Sequence, residues 1–143
     1  MGGRVLYFPR ALRDRLTGAA RRAFPSECCG LIEGTAAEDG WCALALHEAA
    51  NVAEDPSRSF LVDPSAQFAL LHRLRGSGRS VIGCFHSHPG GQAAPSARDR
   101  AEAAEDGFLW LIAAGSPEAD YLLAAFLFDA RSRDFEPVAL APE

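Results

Sequence analysis

Apolar residues run together from Val5 to Phe8 and then recur at helical spacing as Leu12, Leu16, Ala19, Ala20, Ala23 and Phe24. The run predicts a short strand, Pro9 the opening of a helix, and Pro25 its end. Cys28 to Glu33 reads as a short buried strand closed by Gly34, with Glu27 at its start, and Thr35 to Gly40 as the turn into a second strand, Trp41 to His47. Asn51 to Ser59 is polar and contains Pro56, which predicts a loop. A strand Phe60 to Val62 follows, and Asp63-Pro64 opens a helix whose buried side falls to Leu70, Leu71 and Leu74.

Gly76-Ser77-Gly78 breaks that helix, and Val81, Ile82 and Phe85 mark a strand from Ser80 to His88 that ends at Pro89-Gly90-Gly91. Ser96 is placed to cap a helix reaching Asp106, with Gly107 as its left-handed stop. Phe108 to Ala113 and Tyr121 to Phe128 predict two more strands, and the tail from Arg131 an edge strand. Strands and helices alternate without repeats, which predicts one α/β layered domain over residues 1–143, built on a mixed sheet with helices on both faces. Its active site is expected at strand ends.

Composition narrows the partners. The chain has 143 residues, 48% of them hydrophobic, enough for one sizeable core. Its formal charge is -5 and no segment gathers positive charge, so nucleic acid is not an expected partner. No apolar run approaches the length of a membrane span. The four cysteines, at 28, 29, 42 and 84, lack C-x-x-C spacing and fit reduced thiols in the cytoplasm.

The chemistry concentrates late in the chain. Alternate residues of a strand point the same way, so His86 and His88 project to one side, about 6.6 Å apart along the strand. Asp99 stands in the first turn of the helix that Ser96 caps, and the Pro89 to Pro95 loop is long enough to fold that turn back over the strand end. Two imidazoles and a carboxylate suit zinc with a fourth position for water. Glu27, just before a buried strand, is the candidate base for that water.

Each residue also has an ordinary structural alternative. An H-x-H pair can simply pack, Ser96-x-x-Asp99 resembles a capping box, and Glu27 can be a solvated loop carboxylate. His47 and His72 have no metal-spaced partner and are expected at the surface or satisfied in place, and Cys84 is expected as a small buried residue under the histidines.

Taken together, Glu27 with Cys28-Cys29-Gly30-Leu31, then His86-Ser87-His88-Pro89, then Pro95-Ser96 and Asp99, resemble the JAMM (MPN+) metallopeptidase family. Asn51-Val52-Ala53 and Phe60-Leu61-Val62-Asp63-Pro64 look like further family features. The resemblance implies a three-layer α/β/α, cytidine-deaminase-like fold, one zinc held by His86, His88, Asp99 and a water, and Glu27 as general base and then acid. It also implies that the Ser96 hydroxyl helps stabilise the oxyanion of a tetrahedral intermediate.

The implied reaction is hydrolysis of an amide bond at the C-terminal Gly-Gly end of a ubiquitin-like protein. The absence of long insertions makes the chain similar to compact prokaryotic members, whose implied substrates are ubiquitin-like modifiers or sulfur-carrier proteins. Two other relatives set the alternatives: a non-catalytic scaffold that has lost zinc ligands, and a DNA-repair-associated protein sharing His-x-His-Pro and Ser-x-x-Asp. The filled ligand positions count against the first and the acidic charge against the second.

Overall fold

The computed structural model describes residues 4–142. The Met1-Gly2-Gly3 start and the Glu143 end of the expected domain lie outside these residues. Ten elements follow in chain order: β1 (Val5–Tyr7), α1 (Arg10–Ala23), β2 (Cys29–Ala37), β3 (Gly40–Ala49), α2 (Pro64–Leu74), β4 (Ser80–Pro89), α3 (Ala97–Glu102), β5 (Leu109–Ser116), β6 (Asp120–Asp129) and β7 (Asp134–Ala141).

The strands form a mixed sheet in the order β1-β3-β2-β4-β5-β6-β7, closed by pairing of β7 with β1. The β1–β3, β1–β7 and β4–β5 pairs are parallel and the others antiparallel. The mixed sheet is as expected, but the edge strand expected from the tail after Arg131 is corrected: β7 pairs with β1 as well as with β6. Val5–Tyr7 and Ala139–Ala141 supply each other's missing partners, so the sheet closes into a barrel without an open edge among the described residues.

Helices do occupy both faces. All seven strands send side chains to the inner cluster, among them Leu6, Ile32, Leu46, Phe85, Leu111, Leu127 and Val138, where Leu12, Leu16, Ala19 and Ala20 of α1 lie. The outer cluster holds Cys29, Leu31, Cys84, Trp110, Phe128 and Phe135 under Leu70 of α2 and the Ala103 cap of α3. Leu71, expected on the buried side of α2, is 51% exposed, because α2 is in contact along the Leu70 line and Leu71 points away from it.

A bulge sets the orientation of the future site. Ile32 pairs with Gly83 and Glu33 with Val81, which leaves Ile82 as an extra residue in β4. Ile82 and Phe85 therefore join the inner cluster, while Val81 and Cys84, and with Cys84 the alternating positions His86 and His88, face outward.

Several boundaries differ from the expectations. Gly34 does not end β2: a Cβ there would lie 2.3 Å from the Cys42 carbonyl, so glycine lets β3 approach and the strand continues to Ala37. Phe60 to Val62 is not a strand; Val62 makes one isolated bridge to Asn51. The helix from Ser96 covers only Ala97–Glu102, and Ala103 turns extended to bury its methyl group in the outer cluster.

Candidate metal and catalytic site

The site forms where β4 ends. His86 is fully buried on the outer face, stacked on Phe60 at 4.1 Å between ring centroids and edge-on to Trp110 at 5.6 Å. Ser87 points to the opposite face. Its Oγ accepts from the Cys28 N–H at 2.8 Å, and its own N–H donates to the Cys28 carbonyl at 3.1 Å. This pairing carries the Glu27–Cys28 step to the level of the histidines. The N–H of Glu27 donates to the Pro56 carbonyl at 2.7 Å, which sets the residue just before β2.

The third group arrives on α3. Ser96 and Asp99 form a complete capping box: the Asp99 N–H donates to Ser96 Oγ at 3.0 Å, and the Ser96 N–H donates to Asp99 Oδ2 at 2.9 Å. The other end of this short helix is held by Arg133, which donates to the carbonyls of Arg100 and Ala103 at 2.8 Å each.

Asp99 Oδ2 thereby lies 3.2 Å from Nε2 of both His86 and His88, and the two Nε2 atoms are 3.0 Å apart. Four ligands at about 2.0–2.1 Å in a tetrahedron are separated by about 3.3 Å, so this triangle has the dimensions of one tetrahedral face. The proton inventory agrees. His88 Nδ1 faces the Gln92 carbonyl at 2.8 Å and donates to it, so that in the neutral imidazole Nε2 turns its lone pair toward Asp99, and in the charged one Nε2 donates to Asp99. Three polar atoms converge on a point that a cation fits.

Glu27 belongs to the same place. Its carboxylate oxygen and the imidazole nitrogens of His86 and His88 lie within 4.8 Å of one another. Glu27 is 6% exposed, and its Oε1 has no hydrogen-bond partner among the described residues; the same holds for His86 Nδ1. The imidazole pair is thus shared by two groups, one completed by Asp99 and one by Glu27. The Asp99 group has edges of hydrogen-bond length, whereas Glu27 stands farther off with its Oε1 unpartnered among the described residues.

Electrostatics separates the two carboxylates. Burial, offset in part by His88, raises the Glu27 pKa to about 7. Burial also opposes ionisation of Asp99, but the hydrogen bonds with His86 and His88 outweigh it and hold this carboxyl well below the usual range. Burial keeps His86 below the ordinary histidine value, whereas at His88 burial is outweighed by Asp99 and the Gln92 carbonyl, and its pKa rises.

Ser96 is exposed and opens with Glu27, Arg58, His88, Gln92 and Pro95 onto a cleft of about 410 Å³. Its Oγ spends a lone pair on the cap, and its O–H remains a donor. A larger, mainly apolar cavity of about 830 Å³ lies behind Phe60, between Leu31, Cys84, Trp110 and Ala103. Cys84 is buried there, as expected, and burial pushes its thiol well above the ordinary range. His47 sits away from the site, with Nε2 2.8 Å from the buried Glu33 carboxylate, and His72 is exposed.

Of the five expected residues, Glu27, His88 and Ser96 line the cleft of about 410 Å³, while the buried His86 and Asp99 sit beside His88 within 3.2 Å of its Nε2. Sequence reasoning did not assign roles to Asn51, Phe60, Ser87 or Arg133. The small polar residue inside H-x-H was a usable signal for Ser87, and the Asn51 and Phe60 segments stood out as pattern without chemistry. Nothing local marked Arg133, which reaches α3 from the β6–β7 turn.

Known proteins are similar to this one along most of the chain. A desampylase of Haloferax volcanii is 33% identical over 104 residues, covering 70% of this chain and 73% of that protein. A probable TtuB-protein conjugate cleaving protease of Thermus thermophilus is 37% identical over 101 residues, covering 71% of this chain and 65% of that protein. The solution structure of a Desulfitobacterium hafniense protein superposes with a TM-score of 0.81 at 28% identity, over 97% of this chain and 94% of that one. A JAB1/MPN domain protein from Archaeoglobus fulgidus shares the fold, with a TM-score of 0.55 at 21% identity over 98% of this chain and 95% of the other. The family described as prokaryotic homologs of the JAB domain matches residues 9–128, and to that family this chain belongs.

Proposed function

We propose that the chain is a zinc-dependent hydrolase that cleaves the amide bond after the C-terminal Gly-Gly of a ubiquitin-like or sulfur-carrier protein. The observation that carries this reading is the 3.0–3.2 Å triangle of two Nε2 atoms and one carboxylate oxygen, beside the buried Glu27, whose Oε1 has no partner among the described residues. The names of the Haloferax and Thermus relatives point to conjugates of ubiquitin-like proteins as the substrate class.

His86, His88 and Asp99 would hold the metal, and the sulfur-free donor set of two imidazoles and a carboxylate suits zinc with an open position. Zinc, when bound, supplies a Lewis acid that polarises a carbonyl oxygen and lowers the pKa of water to about 7. Glu27 takes the proton from the attacking water and returns it to the leaving amine. A carboxyl with a pKa of about 7 can do both near neutral pH. The Ser96 O–H, free of the cap, donates to the oxygen that becomes negative, a contact of about 3 kcal/mol in comparable sites.

Residues 1–143 act in this reading as one catalytic domain with the three-layer α/β/α, cytidine-deaminase-like arrangement that the JAMM resemblance implies; the placement of α1 on the inner side of the sheet and of α2 with α3 on the outer supports it. Among the described residues no helix is long and apolar enough to cross a membrane. The four cysteines are unpaired, which supports a reducing compartment such as the cytoplasm.

The test is incubation of the protein with ubiquitin-like and sulfur-carrier fusions bearing peptide or isopeptide bonds after Gly-Gly, with an Asp99→Ala control. Product masses ending at Gly-Gly with the wild type and not with the control support the reading. Intact fusions with zinc-loaded wild type oppose it.

A further inference from the structure

We propose that Asn51 is a positioning residue that fixes Glu27 and the aromatic wall of the metal pocket with a single side chain; this rests on the hydrolase reading above. Asn51 follows β3, where its backbone bridges to Val62. Its amide nitrogen donates to the Glu27 carbonyl and the Ser59 carbonyl, at 3.0 Å each. Its carbonyl oxygen accepts from the N–H groups of Ala53 and Leu61, at 3.1 Å each. Both donor hydrogens and both acceptor lone pairs of the side chain are used.

The two halves of this amide serve different parts of the site. The donating half acts on Glu27, whose N–H is already tied to Pro56 and whose Oε1 has no partner. With that oxygen unheld, the place of the carboxylate follows from the backbone, and Asn51 holds the carbonyl side of that backbone. The accepting half folds the 51–61 loop so that Phe60, between Ser59 and Leu61, stacks on His86. Aspartate keeps the accepting half and loses the donating one, alanine loses both, and glutamine is one methylene too long for the same reach.

The test compares Asn51→Asp, Asn51→Ala and wild type, all zinc-loaded and measured well below their melting temperatures. Turnover of a Gly-Gly fusion is separated into kcat and KM, and amide hydrogen exchange is followed at Glu27, Ala53 and Leu61. In Asn51→Asp we expect kcat at least tenfold lower with KM within threefold, since a displacement of about 1 Å can cost roughly 10²-fold. The Glu27 amide is expected to exchange at least tenfold faster, while Ala53 and Leu61 stay protected. Asn51→Ala, which adds no charge, is expected to lose kcat equally and to expose all three amides.

A folded, zinc-loaded Asn51→Asp with kcat within twofold of wild type, or with unchanged exchange at Glu27, overturns the proposal. If wild type cleaves no fusion, the hydrolase reading fails instead, and the Glu27 exchange rate alone decides whether Asn51 holds that residue.

Discussion

The two histidines and the two carboxylates of the site are held in different ways. His86 and His88 belong to β4, which is paired on one side with β2 and on the other with β5, so the backbone ladder fixes them. Asp99 rides on a six-residue helix kept in place by a capping box and one arginine, and Glu27 precedes a strand and depends on Pro56, Ser87 and Asn51. The imidazoles are therefore placed by the fold, and the carboxylates by a few side-chain hydrogen bonds. Changes far from the cleft should disturb the acidic half first.

The largest effect is expected at Asp99, the proposed third ligand. Asp99→Ala removes one corner of the triangle and half of the capping box, and is expected to lower turnover more than 10³-fold and to abolish stoichiometric zinc binding, read by metal analysis. The β4 strand should remain folded, with its amides still protected from exchange.

The next effect is on stability and comes from Glu27. In metal-free protein its folded pKa of about 7 lies above the ordinary 4.5, so its contribution is fully present below pH 4.5 and is lost as pH rises through 7. Glu27→Gln should remove that loss. The variant is expected to gain up to about 3 kcal/mol relative to wild type between pH 5 and pH 8, read by denaturant titration at both values. A wild type and variant with the same pH dependence contradict it.

Arg133 tests the outer support of the acidic half. Arg133→Ala frees the Arg100 and Ala103 carbonyls at the end of α3 and is expected to weaken zinc affinity about tenfold, with β4 unaffected. Competition with a chelator measures it.

The smallest change is expected where a buried carboxylate lies far from the cleft. Hydrogen bonds from Arg79 and then His47 hold Glu33 below the usual carboxylate range. Its contribution is present above the unfolded value and lost as pH falls through the lowered folded one. Arg79 is half exposed, so Arg79→Ala should cost under about 1 kcal/mol at pH 7, less still in acid, and leave turnover within twofold.

The same division explains what could be read from the chain. His86 and His88 were legible because a strand's alternation needs only local sequence, and Asp99 because Ser96-x-x-Asp99 is a local cap. Glu27 was legible as a residue type before a strand, but its distance to the imidazoles depends on Ser87 and Pro56, both remote in sequence. The closed sheet was missed because Val5–Tyr7 and Ala139–Ala141 meet only in three dimensions. The short α3 was missed because an alanine-rich run favours helix locally, whereas burying Ala103 requires the chain to turn.

The central claim is that Glu27 moves protons while His86, His88 and Asp99 bind the metal. Glu27→Gln tests it most directly, by zinc stoichiometry and cleavage of a Gly-Gly fusion on the same preparation. The account predicts one zinc per chain with turnover reduced at least 10²-fold. A zinc-loaded variant that cleaves at the wild-type rate, or one that no longer binds zinc, would contradict it.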